Sequence, residues 1–154
     1  MFSIRFSPRS DDPSWHPGSE ITPPSTQLNA DEFIFRRFMV DVTLRDDQQG
    51  EIKLRTPGLP VIDFVLMLVL LKREILQFGT AVAETSQTQD TITASRYGDS
   101  VQLSYSFSPT VSTISMDEFD GLPRTALCEA RALLHSTHKE LAENEYLAGL
   151  SRVV

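Results

Sequence analysis

Cysteine is nearly absent from this chain. Cys128 is the single one among 154 residues, so no internal disulfide can form and a disulfide-stapled scaffold is excluded. Glycine is also sparse, with seven residues and no GxGxxG, GxxxxGK[ST] or GxSxG arrangement, which leaves no phosphate cradle or nucleophile elbow. Basic residues are outnumbered, 14 against 21 acids, giving a formal charge of −7 and a pI near 4.9. Such a chain repels phosphate backbones, so no nucleic-acid partner is expected. Long apolar runs are missing too. The longest, 64–71, is bounded by Asp63 and by Lys72-Arg73-Glu74, far short of the roughly 20 residues that span a bilayer, and no membrane association is expected. The opening residues lack a basic region followed by an apolar stretch, so the expected location is the cytoplasm, with Cys128 reduced.

What is present suits one globular domain: 40% hydrophobic and 23% charged residues. Residues 2–6 alternate apolar and polar. The segment 8–30 then carries Pro8, Pro13, Pro17, Pro23 and Pro24 among serines, threonines and Asp11-Asp12, and reads as a mobile Pro/Ser-rich loop. Trp15 sits inside it, either folded back on its own domain or serving as an apolar anchor for a partner. From Phe33 a period of two sets in, with Ile34, Phe38, Val40, Val42 and Leu44 on one face and Arg37, Asp41 and Thr43 on the other, which predicts a strand. A polar turn at 46–50 leads to Ile52 and Leu54, a hairpin closed by Thr56-Pro57-Gly58.

Residues 59–78 predict a helix, with Pro60 in its first turn and Gly79 just beyond its end. Its apolar side chains cover nearly the whole circumference, so it must be covered on two opposite sides, by a sheet and by either the C-terminal helix or a second copy of the chain. Four further strands follow at 80–85, 90–97, 100–107 and 111–115, with Gly98-Asp99 as a tight connection. Val101, Leu103, Tyr105 and Phe107 alternate with Gln102, Ser104 and Ser106, so one sheet face is apolar and the other carries small polar groups. Ser115 and Glu118 have capping-box spacing at the start of a last helix, which Gly121 and Pro123 are expected to interrupt before its main body runs on to about Ala142. The expected architecture is α+β: one antiparallel sheet of six or seven strands packed on a buried helix, with an amphipathic C-terminal helix closing the other side.

The chemical readings are thin. Cys128 and His135 share a helix face, but seven residues at 1.5 Å each separate them by roughly 10 Å, too far for a catalytic dyad. Arg124 and Arg131 flank Cys128 at spacings that could favour its thiolate. His135 and His138 lack a third ligand, and no HExxH or CxxC run occurs, so neither metal nor cofactor is expected. Asp63 stands alone among apolar neighbours, in a helical first turn where negative charge is favoured. The C-terminal helix divides its charges by sign. Glu118, Glu129, Glu140 and Glu143 fall along one flank because an 11-residue step returns to nearly the same angle. Arg124, Arg131, His135, His138 and Lys139 lie towards the other.

The succession of a hairpin, a very apolar helix in LPVIDFVLMLVLLKREI, a meander including YGDSVQLSYSF and an amphipathic C-terminal helix resembles small acidic immunity-type proteins encoded beside bacterial toxins. The resemblance is one of layout and covers about residues 33–150. It implies a non-enzymatic protein that binds and blocks a cognate toxin, and it transfers no inhibitory residues. The expectation is therefore an acidic module that occludes a basic protein partner through Glu118, Glu129, Glu140, Glu143 and Trp15. The alternatives are a homodimeric structural or adaptor protein, in which the first helix supplies the interface, and an enzyme or small-ligand binder with a pocket between sheet and helix.

Overall fold

The computed structural model describes residues 1–16, 24–54, 58–85 and 89–154. The fold is α+β, but with two antiparallel four-stranded sheets in place of one larger sheet. In the first, β1 (Phe2–Pro8) pairs with β2 (Met39–Asp46), and β2 pairs on its other side with β3 (Gly50–Lys53) and with the short β4 (Leu59–Pro60). The second is a meander of β5 (Thr80–Glu84), β6 (Thr91–Tyr97), β7 (Ser100–Tyr105) and β8 (Ser108–Ser115). Among the described residues no ladder joins the two.

The reason lies in α1 (Val61–Phe78), whose apolar residues a single sheet could cover on one side only. The first sheet reaches it through Phe6, whose ring meets Phe64 edge-on at 5.8 Å. The meander packs along it from β5, and α2 (Met116–Thr137) lies across it, tied by Lys72 and Asp120 at 3.3 Å. Gly79 ends α1 in the left-handed conformation, φ 74°, a position a Cβ would strain.

Two sequence expectations are corrected upstream. Residues 32–36 form one wide helical turn, closed by Arg37 N–H donating to Glu32 O at 2.9 Å, and not the start of a strand. Strand geometry begins at Met39 because Phe38 is left-handed, φ 61°. That conformation is costly for a bulky residue, and its surroundings over-determine it. Ser14 Oγ accepts the Phe38 amide at 2.9 Å, Asp12 accepts the Met39 amide at 2.7 Å, and Phe38 O accepts from Val61 N–H at 3.0 Å.

In the segment 8–30, expected as a mobile loop, several described residues are bonded to the rest of the fold. Trp15 is buried, donates from Nε1 to Met39 O at 2.7 Å, and meets the Phe38 ring at 5.2 Å. Asn144 Nδ2, from the C-terminal end, donates to the carbonyls of Ser25 and Leu28, both at 2.9 Å. These bonds satisfy main-chain groups that a loose loop would leave to water. Residues 17–23 of that loop, and Thr56-Pro57 of the expected hairpin closure, lie outside the described residues.

Downstream, α2 runs unbroken through Gly121 and Pro123 and stops at Thr137, short of Ala142. His138 turns the chain, φ −133°, and residues Lys139–Glu143 form a separate tight turn before α3 (Glu145–Gly149).

Candidate partner-binding groove

The edge of the first sheet and the N-terminal half of α2 enclose an open groove of about 600 Å³. Its β1 wall is residues Met1, Phe2, Ser3 and Ile4, and its helix wall includes Asp117, Glu118, Leu122, Thr125 and Glu129. The capping box forms only in part. Ser115 Oγ accepts from Glu118 N–H at 3.1 Å as expected, but the Glu118 carboxylate accepts the amide of Phe2 instead of returning to its own helix. One side chain thereby fixes α2 against β1 at one end of the groove.

Beyond that tie the walls part. Gly121 lies between them, and a Cβ built there meets nothing within 4 Å. Thr125 turns its hydroxyl back to Gly121 O at 3.1 Å. Leu122 and Phe2 are buried and Ile4 half-buried, so the groove has an apolar floor below a rim carrying Asp117 and Glu129, both exposed. Asp117 and Glu118 sit in the first turn of α2, where the helix dipole offsets their charge.

The structure thus divides the acidic strip. Glu118 and Glu129 share the groove with Asp117, whereas the end of α2 at Thr137 sends Glu140 and Glu143 onto a different element. Glu140 accepts from Ser25 Oγ at 2.9 Å, and its carboxyl is held below the ordinary range by hydrogen bonding, first from its own backbone and then from Ser25, with His138 nearby at 3.6 Å. Glu143 is exposed on the same turn and makes no part of the groove. Trp15 lies in the core, away from the groove.

Asp117, Thr125 and the β1 wall escape sequence reasoning. The alternation of FSIRFSP signals the strand, but only its pairing with a strand some forty residues away shows which edge is left open.

The remaining chemical candidates are occupied or isolated. Arg131 donates to Ser151 Oγ at 2.7 Å and to the carbonyl of Leu147, so it is committed to the C-terminal turn rather than to Cys128. His138 is buried and donates from Nε2 to Ser14 O at 2.6 Å, tying the end of α2 to the segment that holds Phe38. Among the described residues no group of three or more His, Cys, Asp or Glu side chains is placed to hold a metal, and no helix is long and apolar enough to cross a membrane. Between sheets and helices there remains a cavity of about 10 Å³, lined by apolar residues such as Leu44, Leu71 and Phe119, room for about one water at most.

No family model matches the chain, and neither the curated proteins nor the solved structures contain a match to it.

Proposed function

We propose that this protein is a non-enzymatic binding module whose groove between β1 and α2 takes a basic segment of a protein partner, in the manner of an immunity-type inhibitor occluding a toxin. The observation that carries the reading is the joining of Asp117, Glu118 and Glu129 around an open, apolar-floored groove of about 600 Å³. Negative potential steers a cationic partner and orders its approach, and burial of its aliphatic stems on Phe2, Ile4 and Leu122 adds affinity. Glu118 is already engaged by Phe2, which leaves Asp117 and Glu129 as the recognition charges.

Titration calorimetry with an octapeptide of alternating lysine and threonine tests this at low ionic strength, where the Debye length is about 30 Å. The double variant Asp117→Lys, Glu129→Lys is expected to abolish the binding that the parent protein shows, while Glu143→Lys, outside the groove, changes it little. Equal loss from both variants, or no binding by the parent protein, would reject the groove as the site.

A second reading, a homodimer, has its own observation. Leu76, Phe78, Val82 and Tyr97 are each more than half exposed around the junction of α1, β5 and β6. The adjoining outer sheet face aligns Val82, Thr93, Ser104 and Val111 in one uncharged row. Charge-poor surfaces of this kind suit an isologous contact. Light scattering separates the readings: a tight dimer in isolation favours this one, a monomer that captures the basic peptide favours the groove.

A further inference from the structure

The main-chain hydrogen bonding of β1 can be worked out position by position. In an antiparallel ladder, alternate residues turn both N–H and C=O towards the neighbour, and those between turn both away. β1 and β2 keep one register throughout, from Phe2 opposite Asp46 to Pro8 opposite Val40. Arg9 N–H continues that register by donating to Met39 O at 3.1 Å, so the odd positions of β1 face β2. Phe2 N–H instead donates to Glu118 on α2, so the even positions face away. β2 agrees from its other side, because Val42 O accepts from Leu54 N–H at 3.2 Å and its even positions therefore face β3. The outward set on β1 is Phe2, Ile4 and Phe6, and Pro8, which has no N–H, ends it.

Of these outward donors only Phe2 is used. Among the described residues no group accepts the Ile4 or Phe6 amide. An open edge invites another chain, and this one is guarded at both ends, by Glu118 and by Pro8, but not between. Ile4 lines the groove, so the unpaired stretch borders at that residue the same volume that Asp117 and Glu129 overlook, and Phe6 continues the edge beyond the groove lining.

We propose that the outer edge of β1 at Ile4 and Phe6 accepts an extended segment bearing Lys or Arg at alternate positions as an added β-strand. The inference rests on the groove reading above and extends it from charge to main-chain recognition. A strand seated about 4.8 Å from β1 alternates its side chains between the two sheet faces. One set lies over α2, where a lysine stem packs on Leu122 and its ammonium reaches Asp117 or Glu129. A second copy of this chain suits the edge less well, since it would bring two such acidic rims together in a protein of net charge −7.

The test uses the intact protein and the lysine–threonine octapeptide in two further forms, N-methylated on its lysines or on its threonines. A strand pairs along one side only, so one methylated form is expected to lose at least about tenfold in affinity, the worth of two hydrogen bonds, while the other keeps it. Ile4→Pro removes an edge donor that the β2 ladder does not use, and should weaken binding of the unmethylated peptide to a similar extent with the circular dichroism spectrum unchanged. Equal affinities for the two methylated forms would overturn strand addition and leave charge capture standing. No binding of any form would overturn the groove reading as well. A dimer that Ile4→Pro dissolves would reassign the edge to a second copy.

Discussion

The two sheets are held by different means. In the meander each strand pairs with the next in sequence, β5 with β6, β6 with β7 and β7 with β8, so short connections such as Gly98-Asp99 set the register. In the first sheet β1 pairs with β2 across some thirty residues, and β4 returns to β2 from beyond β3. Its register depends on tertiary ties made by the intervening segment: Asp12 and Ser14 on the amides of Met39 and Phe38, Trp15 on Met39 O, and His138 on Ser14 O. A sheet built from local pairings tolerates a plain outer face. A sheet built from distant ones depends on a few buried residues, and in this protein it carries the open edge.

That contrast can be broken most directly at Trp15. Trp15→Ala is expected to cost about 3–5 kcal/mol in urea unfolding, as for other large buried aromatics. Val82→Thr, on the exposed meander face, should stay within about 0.5 kcal/mol. Asn144→Ala comes next. It strands the carbonyls of Ser25 and Leu28 and the Leu147 amide that Asn144 Oδ1 accepts, and should cost about 2–3 kcal/mol. Hydrogen exchange is expected to speed up first in 24–28, while amides of β6 and β7 keep their protection.

The meander has its own titratable marker. Tyr105 donates to Ser112 Oγ at 2.8 Å, and burial pushes its phenol up to about 12 from 10.0. The unfolded chain therefore loses this proton at lower pH than the folded protein. Stability is complete below pH 10 and declines as pH rises towards 12, by about 2 kcal/mol from this group. Tyr105→Phe should flatten that alkaline decline in a denaturation series run across the interval. A smaller effect, of opposite sign, is expected at Gly121, a helical position with open space for a Cβ. Gly121→Ala should add about 0.5–1 kcal/mol through helix propensity, whereas Gly121→Arg should block the groove with the fold intact.

Local patterns in the sequence reached far. The turn at Gly98, the Gly79 terminus of α1, the Ser115 cap and the alternation of Val101, Leu103 and Tyr105 all stand as read. What local patterning misplaced was governed by distant contacts. Phe33 and Ile34 share the alternation of β2 but turn helical, because Phe38 is held left-handed by groups more than twenty residues away. The segment 8–30 reads as loose from its prolines, yet its described parts are fastened by Trp15 and by Asn144, from opposite ends of the chain. Extending the last helix to Ala142 placed four glutamates on one strip, and His138 divides them into two pairs. Of the candidate site, Glu118 and Glu129 were legible. The β1 wall was not, because an edge is defined by what fails to pair.

The most direct test of the groove as the recognition surface is amide chemical-shift mapping of the isotope-labelled protein with the lysine–threonine octapeptide at low ionic strength. The expected result is a set of shifts confined to residues 2–6 and 117–129, lost in the Asp117→Lys, Glu129→Lys variant. Shifts centred instead on Val82, Thr93 and Val111, or none at saturating peptide, would contradict it.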